Sequence, residues 1–149
     1  MESLNLEQQS YVEDMGLFYE QNGSQRTMGK VIGLLLIAGE ILSQDDLMRL
    51  LNLSRTSVSS ALRWAEHLGF VEQMSLPGNR KRYYQIQPQM AAWLALSSFH
   101  ELQEFMQLLT TAEELAEPGA QERLSSMHEL LDFLNQRIQA ALAEWQARN

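Results

Sequence analysis

The order of apolar and polar positions predicts helices over the first half of the chain. Tyr11, Val12, Met15, Phe18 and Tyr19 recur at helical spacing between Asn5 and about Asn22. Asn5 is a suitable N-cap with Gln8 three residues on, and Gly23 stops the helix. Ser24 is expected to cap a second helix through Met28, Val31, Ile32, Leu35 and Leu36 to Gly39; being apolar on most faces, it reads as the core helix. Glu40, Ile41 and Leu42 form a short extended link. Ser43 then caps a third helix, with Asp45 and Asp46 in the first turn, where the helix dipole favours acids, and an end near Leu51 and Asn52. A fourth helix starts at Ser54, carries Val58, Ala61, Leu62, Ala65 and Leu68 on one face, and terminates at Gly69.

Two β-prone segments follow, Phe70 to Leu76 and Lys81 to Ile86, around Pro77-Gly78-Asn79. Pro presets φ at the second turn position and Gly tolerates positive φ at the third, which predicts a β-hairpin. Pro88 opens a long helical stretch to about Ala116, Pro118-Gly119 breaks it, and a last helix runs from about Gln121 to Ala147. Helix, tight turn, helix and hairpin in that order make a mainly α chain built around a winged helix-turn-helix, in which the second helix of the pair enters a DNA major groove and the wing follows the flanking backbone.

The face of the fourth helix opposite its apolar stripe tests this expectation. It holds Thr56, Ser59, Ser60, Arg63 and His67, with Arg55 and Ser57 at its N-terminal edge, and it carries no acid. Small hydroxyl residues let a helix sink into a groove, and Arg can fork onto guanine O6 and N7. Ser and Thr also occur near helix starts simply as caps. Arg80, Lys81 and Arg82 follow the hairpin turn directly; such a cluster protects an exposed edge strand or meets phosphate, and beside the polar helix the second reading is favoured.

Charge sharpens the picture. The 149 residues carry a net charge of −8, which by itself argues against a polyanionic partner. Yet residues 1–23 hold five acids and no base, residues 88–149 hold nine acids against Arg123, Arg137 and Arg148, and residues 24–87 hold eight bases against five acids. A basic centre between acidic flanks reads as a nucleic-acid head on an acidic support. The 45% hydrophobic content suits a packed core, and the expectation is one domain over 1–149, with the head at 24–87 and dimerisation helices at 1–23 and 88–149. Absence of cysteine excludes disulfides, thiolate nucleophiles and cysteine-bound metals, and fits a cytoplasmic location. Neither a basic signal segment nor a membrane-length apolar run is present.

No nucleophile and base pair, phosphate loop or dinucleotide glycine pattern is found, and His67, His100 and His128 lack metal-ligand spacing. The expectation is a non-enzyme without cofactor or metal. Leu124, Met127, Leu131, Leu134, Ile138, Ala141 and Trp145 follow one another at spacings of 3, 4, 3, 4, 3 and 4, a heptad-like seam. Its partner is in part the preceding helix, through Phe99, Leu102, Met106 and Leu109. Leu130, Phe133 and Leu142 widen the apolar surface beyond one stripe, so self-association is expected, with Tyr11, Met15 and Phe18 of the first helix contributing. A winged-helix module for protein contacts is the alternative to DNA binding; acids or large apolar residues on the Thr56 to His67 face would mark it.

Gln25 through Ile86 resembles the MarR-type winged-helix regulators, and especially their GbsR-like branch, in RTMGKVIGLLLIAGEILSQDDLMRLLNLSRTSVSSALRWAEHLGFVEQM and PGNRKRYYQI. The resemblance implies a homodimeric repressor or activator on a pseudo-palindromic operator, with Arg55 to Arg63 as recognition segment and Arg80 to Arg82 as wing. By the inducer logic of that family, a small effector would bind between head and dimerisation helices, with Tyr11, Phe18, Tyr19 and Trp93 as candidate lining residues. The GbsR-like branch is associated with choline or glycine betaine, and aromatic rings attract quaternary ammonium; aromatics at helical spacing are also ordinary core.

Overall fold

The computed structural model describes residues 1–148 and forms two compact units, Met1–Met90 and the residues from Ala91 onward. The first holds α1 (Leu6–Gln21), α2 (Arg26–Ile37), β1 (Leu42–Ser43), α3 (Gln44–Leu51), α4 (Arg55–His67), β2 (Val71–Ser75) and β3 (Arg82–Ile86). Beyond it run α5 (Met90–Leu115), a 3-10 turn at Pro118–Ala120 and α6 (Gln121–Arg148). This is the expected mainly helical winged-helix fold.

Helix boundaries follow from local chemistry. Asn5 and Gln8 close a reciprocal capping box, with Gln8 N donating to Asn5 Oδ1 at 2.8 Å and Asn5 N to Gln8 Oε1 at 3.0 Å. Gly23 has φ +80°, and Ser24 N donates to Tyr19 O at 2.9 Å while Gly23 N donates to Glu20 O at 3.2 Å. That pair of bonds is a Schellman closure, so the Ser24 amide belongs to the end of α1. The N-cap of α2 is Gln25, without a side-chain cap, and α2 ends at Ile37 rather than Gly39. Gly69 repeats the closure at the end of α4, with Phe70 N bonded to Ala65 O at 2.9 Å. Leu68 is the C-cap of α4 and is exposed rather than part of its buried stripe.

The extended link before α3 is a strand: Leu42 and Ser43 pair antiparallel with Tyr84 and Tyr83. The sheet order is β1-β3-β2, with Val71 opposite Ile86 and Ser75 opposite Arg82. Leu76 to Asn79 form the hairpin turn, with Gly78 at φ +73° and Asn79 N donating to Leu76 O at 3.1 Å. A type II turn demands that positive φ, which Gly supplies without strain.

Val31, Ile32, Leu34, Leu47, Val58, Ala61, Leu62 and Val71 form the centre of the head's core, with Val12 and Tyr19 added from α1. The approach of α1 to α2 is close enough that a Cβ on Gly29 would lie 2.4 Å from Met15 O and 2.9 Å from Tyr19 Cβ. α1 is therefore built into the head as a backing layer for α2.

In the second unit the seam of α6 divides. Leu124, Leu131 and Ile138 are half-buried with His128, Asn135 and Leu142, whereas Met127, Leu134 and Trp145 are exposed with Leu130 and Phe133. The alternation of α5 answers it, with Leu109 buried and Phe99, Leu102, Met106 and Glu113 half-buried. Near the turn, His128 Nδ1 lies 3.2 Å from both carboxylate oxygens of Glu113, which joins the two helices.

Candidate nucleic-acid interface

The third and fourth helices are set by two caps. Ser43 and Asp46 form a capping box: Ser43 Oγ donates to Asp46 Oδ2 at 2.6 Å, and Asp46 N donates to Ser43 Oγ at 3.2 Å. The Ser43 hydroxyl bond, with help from Arg49, holds the Asp46 carboxyl below the usual carboxylate range. Asn52, at φ 51°, turns the chain in the left-handed region, and Ser54 then accepts from Ser57 N at 3.1 Å to start α4. The tight turn between the helices is thus closed by Leu53 N donating to Met48 O, by the Ser54 hydroxyl and by Leu53 packed against the core.

Val58, Ala61, Leu62 and Ala65 anchor α4 in the core. On its other side Arg55, Thr56, Arg63 and His67 are exposed, with Ser57, Ser59 and Ser60 half-buried between them. The guanidinium of Arg63 has no hydrogen bond or ion pair within the described residues. One large residue on this side was not anticipated from the sequence. Trp64 is 50% exposed, with its indole edge-on to His67 at 5.9 Å between ring centroids. Its position one residue past Arg63 and four past Ser60, off the Val58-Leu62-Ala65 stripe, was the available signal.

The wing is exposed from Gln73 to Arg82. Because β3 begins at Arg82, Arg80 and Lys81 lie in the connection, and Lys81, expected to open the second strand, stands just before it. Asn79 organises this tip: its Oδ1 accepts from Lys81 N at 2.9 Å and its Nδ2 donates to Tyr83 Oη at 2.8 Å. The buried Tyr84 phenol is raised by burial and by nearby Glu66, with the charge of Arg82 opposing the shift.

Asp45, from the first turn of α3, reaches both cationic elements. Its Oδ1 is 3.2 Å from Arg55 Nη2 and its Oδ2 is 4.0 Å from Lys81 Nζ. Next to it, Gln44 Nε2 donates to Arg55 O at 3.3 Å. In sequence Asp45 read only as a dipole-matched acid; its contact with residues 10 and 36 positions later has no local signature.

The other singled-out residues fall elsewhere. Tyr19 is 9% exposed, and its phenol is raised first by burial and then by Tyr11. Phe18 is exposed and packs edge-on to Tyr19 at 5.6 Å, Tyr11 and Met15 flank Gly33, and Trp93 belongs to the second unit. A cavity of about 320 Å³ in the head is lined instead by Leu4, Gln9, Val12, Glu13, Lys30 and the end of α3. There Lys30 Nζ sits 2.6 Å from Glu13 Oε1 and holds that carboxyl below its usual range. Among the described residues no acidic or histidine cluster could hold a metal, and no helix is long and apolar enough to cross a membrane.

No family model matches the chain. Over 142 residues it is 28% identical to the HTH-type transcriptional regulator MmpR5 of Mycobacterium tuberculosis, an alignment covering 93% of this chain and 86% of that one. A crystal structure of a transcriptional regulator superimposes with a TM-score of 0.71 at 26% identity, over 95% of this chain and 99% of the other.

Proposed function

We propose that this chain is a MarR-like transcriptional regulator that binds double-stranded DNA sequence-specifically as a homodimer and performs no catalysis. The observation that carries the reading is the pairing, in one compact unit, of a helix face made of Thr56, Ser59, Ser60 and Arg63 with a cation-bearing wing tip at Arg80 to Arg82. Near full-length similarity to regulators supports it. Arg63 would read a base edge in the major groove, and Arg80 and Arg82 would meet phosphates beside it. Large apolar residues or acids on that face, which would favour a protein partner, are limited to Trp64.

Self-association is supported by the second unit, where Leu108, Leu130 and Phe133 are 68%, 59% and 54% exposed. Apolar surface of this kind calls for burial against another molecule, and a two-fold dimer would present two heads to successive major-groove faces. In this reading residues 24–87 are the reading part of the head, with α1 packed behind it, and residues 1–23 and 88–149 serve the dimer. Effector control, with choline-type ligands of the GbsR-like branch as first candidates, is the finer part of the proposal; a ligand-dependent change in DNA affinity tests it.

The decisive experiment is retention of genomic fragments by purified protein at low ionic strength, followed by competition with random DNA. Selective retention of palindrome-like fragments, with sedimentation as a dimer, supports the reading. Absence of any retention, with and without candidate metabolites, would reassign the head to a protein partner.

A further inference from the structure

Two of the cations assigned to DNA are already occupied by an acid of the same chain. Asp45 lies between the start of α4 and the wing tip, with one oxygen 3.2 Å from Arg55 and the other 4.0 Å from Lys81. The three side chains are 57%, 69% and 63% exposed, so water and salt reach all of them. An ion pair in that setting contributes little to fold stability, typically well under 1 kcal/mol. Its geometry is nevertheless fixed from behind, because Asp45 stands in the first turn of α3, where the dipole favours its charge. Gln44 also tethers the Arg55 carbonyl. A carboxylate bridging two cations occupies the place that a phosphate oxygen would take.

Resting on the DNA-binding reading, we infer that Asp45 is an internal competitor of DNA phosphate and a positioning residue for Arg55. It occupies Arg55 and Lys81 against random DNA and releases them only where contacts from Arg63 and its neighbours hold the head in register. Arg80 and Arg63, without such a partner, engage first. Sequence discrimination in an acidic protein is thereby raised by weakening the sequence-blind part of binding rather than by adding base contacts, since non-specific affinity is almost wholly electrostatic.

The test is Asp45→Asn in the full chain, with Glu20→Gln on α1 as control for net charge. In a two-fold dimer the substitution frees one site per head. The slope of log K on log salt for random DNA should steepen by about 1.8, since each added phosphate contact contributes roughly 0.9. Random-sequence affinity should rise by about tenfold at moderate salt and the specific-to-random ratio should narrow. In an Arg55→Ala/Lys81→Ala background the same substitution should have little effect. A change no larger than that of Glu20→Gln overturns the inference, and so does an undiminished effect in the double background, which would make Asp45 a plain repulsive charge. Heparin retention separates this idea from the reading beneath it. If Asp45→Asn elutes at higher salt but neither protein discriminates any DNA, the clamp stands and sequence-specific binding falls; if elution is unchanged, the clamp itself falls.

Discussion

Replacing Arg80 by Ala isolates the backbone-contacting role proposed for the wing. Arg80 is exposed, precedes β3, and makes no ion pair or hydrogen bond among the described residues, so its loss should leave fold stability within about 0.5 kcal/mol. A symmetric dimer loses two cations at once. At about 0.9 per phosphate contact, the slope of log K on log salt flattens by about 1.8. A fourfold rise in salt is about 0.6 log units, so over that interval the variant should lose roughly 12-fold less affinity than the parent. Arg63→Ala should behave differently. Its guanidinium is exposed and unpaired among the described residues, and on the proposed groove reading its removal should cost about 1–3 kcal/mol of discrimination at each half-site, roughly 5- to 150-fold, with a smaller change of slope. Fluorescence anisotropy over a salt series, on operator and scrambled duplexes, measures both quantities. An unaltered slope for Arg80→Ala would remove the wing from the interface, and identical signatures for the two variants would refute the division of roles.

Three further outcomes are expected. Gly29→Ala puts a Cβ 2.4 Å from Met15 O and 2.9 Å from Gly16 Cα; overpacking of about 1–3 kcal/mol should outweigh the helix preference of Ala, and an unchanged melting temperature would contradict the close α1–α2 crossing. Asp46→Asn should lower stability at neutral pH by about 0.5–1 kcal/mol. Because the Asp46 pKa is depressed, its contribution is present above the unfolded carboxylate pKa and is lost as pH falls through the folded value, so the urea midpoints of variant and parent should converge in acid; parallel curves would refute the linkage. Leu130→Glu with Phe133→Glu places two charges on exposed positions, and sedimentation should show a monomer with native helicity; a persistent dimer would move the interface elsewhere.

Local chemistry carried most of the fold. Asn5, Ser43 and Ser54 acted as caps because each needs only its own neighbours within three residues, and Pro77-Gly78 set the hairpin for the same reason. What the pattern missed was non-local or competed for. Ser24 is a good cap by type, but it is the residue that closes the Schellman turn of α1, and α2 starts one residue later, with Gln25 at its N-cap. Leu42 and Ser43 are too short to read as a strand and became one only because Tyr83 and Tyr84 supplied an edge. The heptad seam of α6 reads as one stripe, yet only three of its seven positions, Leu124, Leu131 and Ile138, join the half-buried line with His128 and Asn135, since polar residues hide the inner periodicity.

Charge shows the same limit at the candidate site. A sum of −8 predicts avoidance of polyanions, and the segment sums correct that prediction only by position in sequence. In space the basic segment is further divided: Arg63 and Arg80 are unengaged among the described residues, whereas Arg55 and Lys81 share Asp45. Coulomb interactions at 3–4 Å in surface water are worth only about 1 kcal/mol each, comparable to a single phosphate contact. The free and engaged cations therefore differ by an amount that salt and DNA can reverse. Electrostatic affinity in such a head follows from which cations lack a partner, a property of the folded arrangement of α3, α4 and the wing that no count of residues contains.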